Sequence, residues 1–343
     1  MEVTYMLTEE MLDRRLAKPS QRLIEDMRQI EGDILILGAG GKMGPTLCLL
    51  TKNAIEASGG KQKVIAVSRF TDPIATKLLK DNDIETIGTD LLECGSVSKL
   101  PFAKNVIYMA GRKFGTEGQE PLTWAMNTQL PSLVAEKYAN SNIVVFSTGN
   151  VYQIVPVHSG GATEEVPVSP IGEYGMSCLG RERMFEYGSN KYKTPVFMYR
   201  LNYAVDLRYG VLYDIASRIM KNEPISVATP CFNCIWQGDA NEIAIRALLH
   251  TGSPVVKMNI TGPETVSVRY VADALGIILG KKPIFEGEEA DRAYLSNAAR
   301  ANKIFGYPSI ALDTMIEWQA EWILSGGRSL GKLTHFEERK GKY

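Results

Sequence analysis

Asp33-Ile34-Leu35-Ile36-Leu37-Gly38-Ala39-Gly40-Gly41-Lys42-Met43-Gly44 decides the fold. Residues 33–37 form a short apolar run that reads as a buried strand. A glycine-rich turn follows, and Pro45 suits the first turn of a helix whose apolar periodicity covers residues 46–57. Glycine lets the backbone turn tightly and approach an anion, and the helix N-terminus offers free N–H groups to it. The spacing is Gly-x-x-Gly-x-x-Gly at Gly38, Gly41 and Gly44, with Lys42 and Met43 inside the turn. A turn of this kind at the head of a βαβ unit is expected to cradle the diphosphate of a dinucleotide.

The same texture continues outward. Residues 64–67, 84–87, 106–109, 143–146 and 195–199 read as further strands, and 73–81, 124–139 and 177–187 as helices. Strands alternating with helices predict an α/β fold, a doubly wound parallel sheet covered on both faces, across residues 32–202. Beyond Asn202 the segments shorten and Gly and Pro punctuate them. Residues 203–330 read mainly as a smaller C-terminal substrate lobe, with a late strand at 255–260 returning to the sheet. Residues 1–31 form an N-terminal extension in which Ser20 caps a helix presenting Leu23, Ile24, Met27 and Ile30 on one face. The polar segment 331–343 is expected to be a loose tail.

The end of the second strand bears on the choice of cofactor. An acidic residue there would bind ribose hydroxyls, but the chain has Ser68-Arg69. A hydroxyl and a guanidinium suit a 2′-phosphate, so NADP is favoured over NAD. Asp90, after the third strand, can accept from the adenine amino group or cap the segment that follows.

The 343 residues are 45% hydrophobic and 22% charged, with a formal net charge of -1. This balance gives no footprint for nucleic acid or an anionic membrane, and the expected partner is a small-molecule substrate. The N-terminus lacks the blocks of a signal peptide and no apolar run could cross a bilayer, so a cytoplasmic protein is expected. Five cysteines argue against a disulfide framework. Cys231 and Cys234 form a Cys-x-x-Cys without a second ligand pair, so they read as packing residues and no metal is expected.

Taken in order, these residues resemble the extended short-chain dehydrogenase/reductase family, also called the NAD-dependent epimerase/dehydratase family. Gly38, Gly41 and Gly44 match its glycine turn, and Thr89-Asp90-Leu91 its adenine-contacting segment. Met109-Ala110-Gly111 resembles the small-residue strand end beneath the cofactor, and Asn127 matches a helix asparagine. Thr148, within Ser147-Thr148-Gly149-Asn150, matches the catalytic hydroxyl, Tyr174 the catalytic tyrosine, and Asn202 a substrate-facing asparagine. The resemblance implies a Rossmann-type domain with a small substrate lobe. It also implies a homodimer packed through the helices near 124–139 and 177–187, and chemistry on nucleotide-linked sugars or related hydroxy and carbonyl compounds. Arg208 and Arg292 are candidates for an anionic group of the substrate.

One landmark is missing. The family pairs its tyrosine with a lysine four residues on, which holds the nicotinamide ribose and lowers the tyrosine pKa. Tyr174-Gly175-Met176-Ser177-Cys178 places Cys178 at that cofactor-contacting position. A free phenol titrates near 10, and bringing it to about 7 takes roughly 4 kcal/mol of differential stabilisation. A neutral thiol supplies no such charge, and a thiolate would oppose it. Arg181 shares the helical face but lies two turns from Tyr174, too far for direct contact with the phenol. Two readings stay open. One is an NAD(P)-dependent oxidoreductase or epimerase with an atypical site. The other is a catalytically silent dinucleotide-binding sensor or regulatory protein.

Overall fold

The computed structural model describes residues 8–113 and 115–342. Seven parallel strands form its central sheet: β1 (Ile34–Leu37), β2 (Val64–Ser68), β3 (Glu85–Gly88), β4 (Asn105–Tyr108), β5 (Asn142–Thr148), β6 (Val196–Leu201) and β7 (Val256–Ile260). Their order across the sheet is β7-β6-β5-β4-β1-β2-β3, all pairs parallel. This is the Rossmann-type order, with its reversal between β1 and β4, where the carboxyl ends of the strands open a crevice.

Side chains alternate across the strands, so β1 feeds two cores. Ile34 and Ile36 pack with Leu47, Leu50 and Ala244 on one face. Leu35 and Leu37 pack with Val106, Leu130 and Phe185 on the other. Burial on both faces explains why these strands are continuous apolar runs. The smaller lobe has its own core, in which Val211 and Ile215 meet Val271, Leu275 and Ile316. A helix at Glu9–Leu16, capped by Thr8, lays Leu12 and Leu16 onto that core. Ser20 caps the next helix, Gln21–Met27, by accepting from the Leu23 amide.

Two elements differ from the sequence reading. The helix expected at 177–187 runs from Gly172 to Tyr192, which puts Tyr174 in its first turn. Gly172 and Gly175 look like turn residues in sequence. At Gly175, however, a Cβ would stand 2.9 Å from the Asn150 carbonyl oxygen, so the glycine serves close packing of a helix. The segment after Gly326 is also not loose. Phe336 is buried in the smaller lobe, the Thr334 amide donates to Asp214 Oδ2 at 2.9 Å, and Arg339 Nη1 donates to the carbonyls of Ala228 and Arg292. This segment straps the small lobe to the crevice. Among the described residues no helix is long and apolar enough to cross a membrane.

A buried polar chain ties the long helix to the sheet. Arg200 on β6 donates twice to Glu182, at 2.9 and 2.7 Å, and once to the Tyr152 hydroxyl at 2.6 Å. Tyr152 donates onward to Asn259 on β7 at 2.9 Å, and Ser147 donates to Glu182 at 2.6 Å. Removing one partner of such a pair leaves an uncompensated buried charge. Glu182→Gln is therefore expected to cost about 3–5 kcal/mol in urea unfolding. A loss below about 1 kcal/mol would show that the pair does not hold the helix to the sheet.

Candidate active site

The glycine turn is set by two approaches too close for a side chain. Gly38 has φ +90°, and a Cβ there would stand 2.6 Å from the Ala110 amide nitrogen at the end of β4. A Cβ on Gly44 would stand 2.2 Å from the Ala39 carbonyl oxygen. The turn is thereby pressed against its own scaffold, while Gly41 is exposed at the crevice. The helix Gly44–Ser58 starts with no side-chain cap; the Gly44 amide turns back to the Gly41 carbonyl at 3.2 Å, and Pro45 has no N–H to offer.

Asn127 organises the floor of the crevice. It lies in a π-helical turn, Ala125–Gln129, a local widening often found at functional sites. Its Oδ1 accepts from the Arg112 amide and from Arg181 Nη2, each at 2.8 Å. Its Nδ2 donates to the Arg112 carbonyl at 2.8 Å and to Ser177 Oγ at 3.0 Å. Ser177 in turn donates to the Tyr174 carbonyl at 3.0 Å. One side chain thus fixes the loop after β4 and the first turns of the helix that carries Tyr174.

Thr148, Tyr174 and Asn202 line one cleft, together with Lys42, Met43 and Lys113. The Thr148 hydroxyl donates to Asn150 Oδ1 at 3.0 Å and accepts from the Asn150 amide at 3.2 Å, capping the turn Gly149–Val151. To donate to a substrate oxygen it must release Asn150. Asn202 Nδ2 donates to the Tyr294 carbonyl at 3.4 Å, which aims its side chain along the cleft wall. Ala110 and Leu91 are buried, and Gly111 lies where a Cβ would strike the Arg181 guanidinium at 2.4 Å.

Several expected site residues are held elsewhere. Cys178 is fully buried beside Val151, Tyr152 and Ala162, where burial pushes its thiol pKa up, and it shares a hydrogen bond with Tyr174. It packs the helix and is not part of the crevice wall. Arg208 is committed to carboxylates, with Asp206 at 2.7 Å and Asp13 at 2.8 Å. Arg292 directs its guanidinium at the Ile154 carbonyl. Neither lines the cleft that holds Thr148, Tyr174 and Asn202. Cys234 is buried, its thiol pushed up to about 12 by desolvation, consistent with packing.

The basic side chains at the crevice are Lys42, Lys113, Arg181 and Lys332, of which the sequence reading weighed Lys42 and Arg181. Lys42 Nζ sits 3.2 Å from the centroid of the Tyr209 ring. Desolvation, with Lys113 and Lys332 nearby, pulls it down to about 6, against the attraction of Asp214. Lys113 Nζ donates to the Thr334 carbonyl at 3.2 Å and lies 5.8 Å from the centroid of the Tyr174 ring. Desolvation lowers Lys113 to about 8, with Cys178 and Asp214 opposing. Arg181 donates to the Phe146 carbonyl and Asn127, each at 2.8 Å, while its buried Nε has no partner. A glycine turn at the head of a helix, at the carboxyl ends of β1 and β4, fits a bound dinucleotide.

No family model matches this sequence, and neither does any curated protein. Solved structures do resemble it. UDP-glucuronic acid 4-epimerase from Bacillus cereus, in complex with NAD, superposes with a TM-score of 0.69 at 19% identity, covering 85% of this chain and 98% of that one. MoeE5, in complex with UDP-glucose and NAD, gives 0.67 at 21% identity over 86% and 99%. WbmG from Bordetella bronchiseptica, in complex with NAD and UDP, gives 0.71 at 17% identity over 89% and 100%. The shared property is the fold, a parallel Rossmann-type sheet with a smaller C-terminal lobe.

All three hold NAD, which overturns the expected preference for NADP. The physical reason lies in Arg69. Its guanidinium stands 3.7 Å from Asp90 and is largely exposed, so an anionic neighbour already claims it. A 2′-phosphate would meet that carboxylate as well as the arginine. Ser68 is likewise turned toward the glycine turn, its Oγ 2.6 Å from where a Cβ on Gly40 would lie.

Asn127→Leu would strand the Arg112 amide and one nitrogen of Arg181. The expected cost is about 2–4 kcal/mol, read from the urea midpoint, since each buried donor left unmade costs about 1–3 kcal/mol. An unchanged midpoint would show that Asn127 does not organise the floor.

Proposed function

We propose that this chain is an NAD-dependent oxidoreductase or epimerase of the extended short-chain type, acting on a sugar or nucleotide-sugar-like hydroxy or carbonyl compound. The observation that carries the reading is the convergence of Thr148, Tyr174 and Asn202 on one cleft bordered by the glycine turn. The backbone of Gly41, Lys42 and Met43 would hold the diphosphate, Asp90 and Leu91 would border the adenosine end, and Arg181 would face the nicotinamide-side ribose. NAD, when bound, supplies a hydride acceptor or donor. Tyr174 takes the proton of a substrate hydroxyl on oxidation and returns it on reduction. Thr148 donates to the same oxygen, having exchanged Asn150 for it, and Asn202 orients the substrate.

The test is direct. Purified protein is given NAD with UDP-glucose or UDP-glucuronic acid, and absorbance at the reduced-nicotinamide band and product stereochemistry are followed. Tyr174→Phe is expected to lower the rate by about 10²–10⁴-fold while NAD affinity changes by less than about threefold. A wild-type protein that binds NAD but neither oxidises, reduces nor epimerises any sugar nucleotide would refute the proposal.

A second outcome follows from Lys42. With its ammonium pulled down to about 6, it is mostly neutral at pH 7.5. An arriving diphosphate favours the charged form, so binding should take up a proton. Calorimetry at pH 7.5 in buffers of different ionisation enthalpy should show uptake of roughly 0.5–1 proton per NAD. The uptake should vanish in Lys42→Met and fade below pH 6, where Lys42 is already protonated. Equal heats in all buffers would contradict the assignment.

A further inference from the structure

We propose that the C-terminal strap, through Thr334 and Phe336, is the specificity element of the cleft: docked, it leaves room for a reacting sugar ring alone, and a sugar linked to a nucleoside diphosphate binds by displacing it. The inference rests on the reading of the cleft at Thr148, Tyr174 and Asn202 as the substrate site. That cleft ends on the strap, because Thr334 forms part of its wall. Its volume is about 150 Å³. Sites for small molecules usually measure about 300–1,000 Å³, so nothing longer than the reacting ring fits beside the strap.

Beyond Thr334 the strap fills a groove in the smaller lobe. Both donors of Thr334, its amide and its hydroxyl, go to Asp214 Oδ2, and its carbonyl accepts from Lys113 Nζ at 3.2 Å. Phe336 is fully buried, its ring centroid 6.4 Å from that of Phe232. The Glu337 carboxylate accepts from Arg218 at 2.6 Å, and the Glu337 carbonyl accepts from the Thr229 hydroxyl at 3.3 Å. Arg339 donates to the Ala228 and Arg292 carbonyls at 3.0 and 2.6 Å. Gly341 holds the far end, lying so near the helix of Tyr174 that a Cβ on Gly172 would stand 2.5 Å from its carbonyl oxygen.

Leading away from Thr148 and Tyr174, the strap thus sets an acceptor on a lysine nitrogen, a flat ring among apolar side chains, and a carboxylate on a guanidinium. A sugar nucleotide offers similar chemistry in the same direction, with anionic oxygens next to the sugar and then a flat base. Phosphate oxygens are stronger acceptors than a peptide carbonyl, so Lys113 would exchange Thr334 for them. The strap is also the wall most easily moved. From Gly327 to Lys342 no residue lies in a helix or strand, and Phe336 is the only buried apolar side chain of the segment. A segment held by so few buried contacts opens at far lower cost than the sheet and helices it lies on.

The test uses the full chain saturated with NAD, and UDP as the probe. Hydrogen exchange at the Thr334 amide is expected to speed up at least about tenfold when UDP saturates the wild type, because the bond to Asp214 is broken. In calorimetry Phe336→Ala is expected to bind UDP at least about tenfold more tightly than the wild type, since a strap already loosened leaves more of the protein competent to bind. Damage to the fold alone would weaken binding instead. Unchanged exchange at Thr334 with UDP bound, UDP affinity in Phe336→Ala no better than in the wild type, or no UDP binding to either protein overturns the proposal. Should Phe336→Ala fail to fold, Arg339→Ala, which releases the strap from the Ala228 and Arg292 carbonyls, carries the same comparison. These outcomes separate from those of the functional reading. Displacement of the strap by UDP, with no hydride transfer from any sugar nucleotide, refutes the reading and sustains this inference. Turnover of UDP-glucose with the Thr334 amide as protected as before does the reverse.

Discussion

Everything in this molecule is arranged around an approach of backbone to backbone that leaves no room for a side chain. Where β1 ends, the chain turns left-handed at Gly38 against the amide of Ala110, and six residues later Gly44 seats the next helix against Ala39. A methyl group at either place would push the first helix off the sheet. With both absent, the turn lies flat on the ends of β1 and β4, and the N-terminal end of the helix faces the crevice. The position of that helix end then decides where any anion must sit, and so which side chains can meet the rest of the ligand.

Around the turn the protein has spent polar groups to make the crevice floor rigid. Asn127 joins the β4 loop to the helix of Tyr174, and the chain through Glu182, Arg200, Tyr152 and Asn259 joins that helix to β5, β6 and β7. Such networks confer stiffness only when every member is satisfied. Here the exception is informative, because the Arg181 Nε is buried without a partner. Arg181 itself lines the wall where the glycine turn, the β4 end and Tyr174 come together. The basic side chains of the crevice thus come from four separate segments: Lys42 from the turn, Lys113 from the loop after β4, Arg181 from the helix, and Lys332 from the C-terminal strap.

Much of this was legible in the sequence, for definite reasons. Inner strands buried on both faces must be unbroken apolar runs, and the edge strand β3, half-exposed, was placed by its position in the alternation; each of the seven was read within a residue or two of its bounds. The glycine turn, Thr148, Tyr174 and Asn202 were legible because each follows a strand or opens a helix in a fixed order. Other features left no mark. The helix Glu9–Leu16 buries only two leucines and reads as polar. The C-terminal strap is hydrophilic by composition, and only Phe336 gives it a foothold in the core. Lys113 stands in a patternless Arg112-Lys113-Phe114-Gly115 stretch, and its approach to Tyr174 is a fact of tertiary structure. The pairing of Arg208 had a signal in the sequence, since its carboxylate partner Asp206 stands two residues earlier. Arg69 and Asp90 were each noticed, but their pairing depends on how β2 lies beside β3.

The central claim is that a dinucleotide lies across the glycine turn with its reactive end between Thr148 and Tyr174. A crystal structure of the protein with NAD tests it most directly. The account predicts diphosphate density against the turn at Lys42 and Met43 and nicotinamide density in the cleft bounded by Thr148, Tyr174 and Lys113. A cleft empty at saturating NAD, or a dinucleotide bound away from the turn, would contradict it.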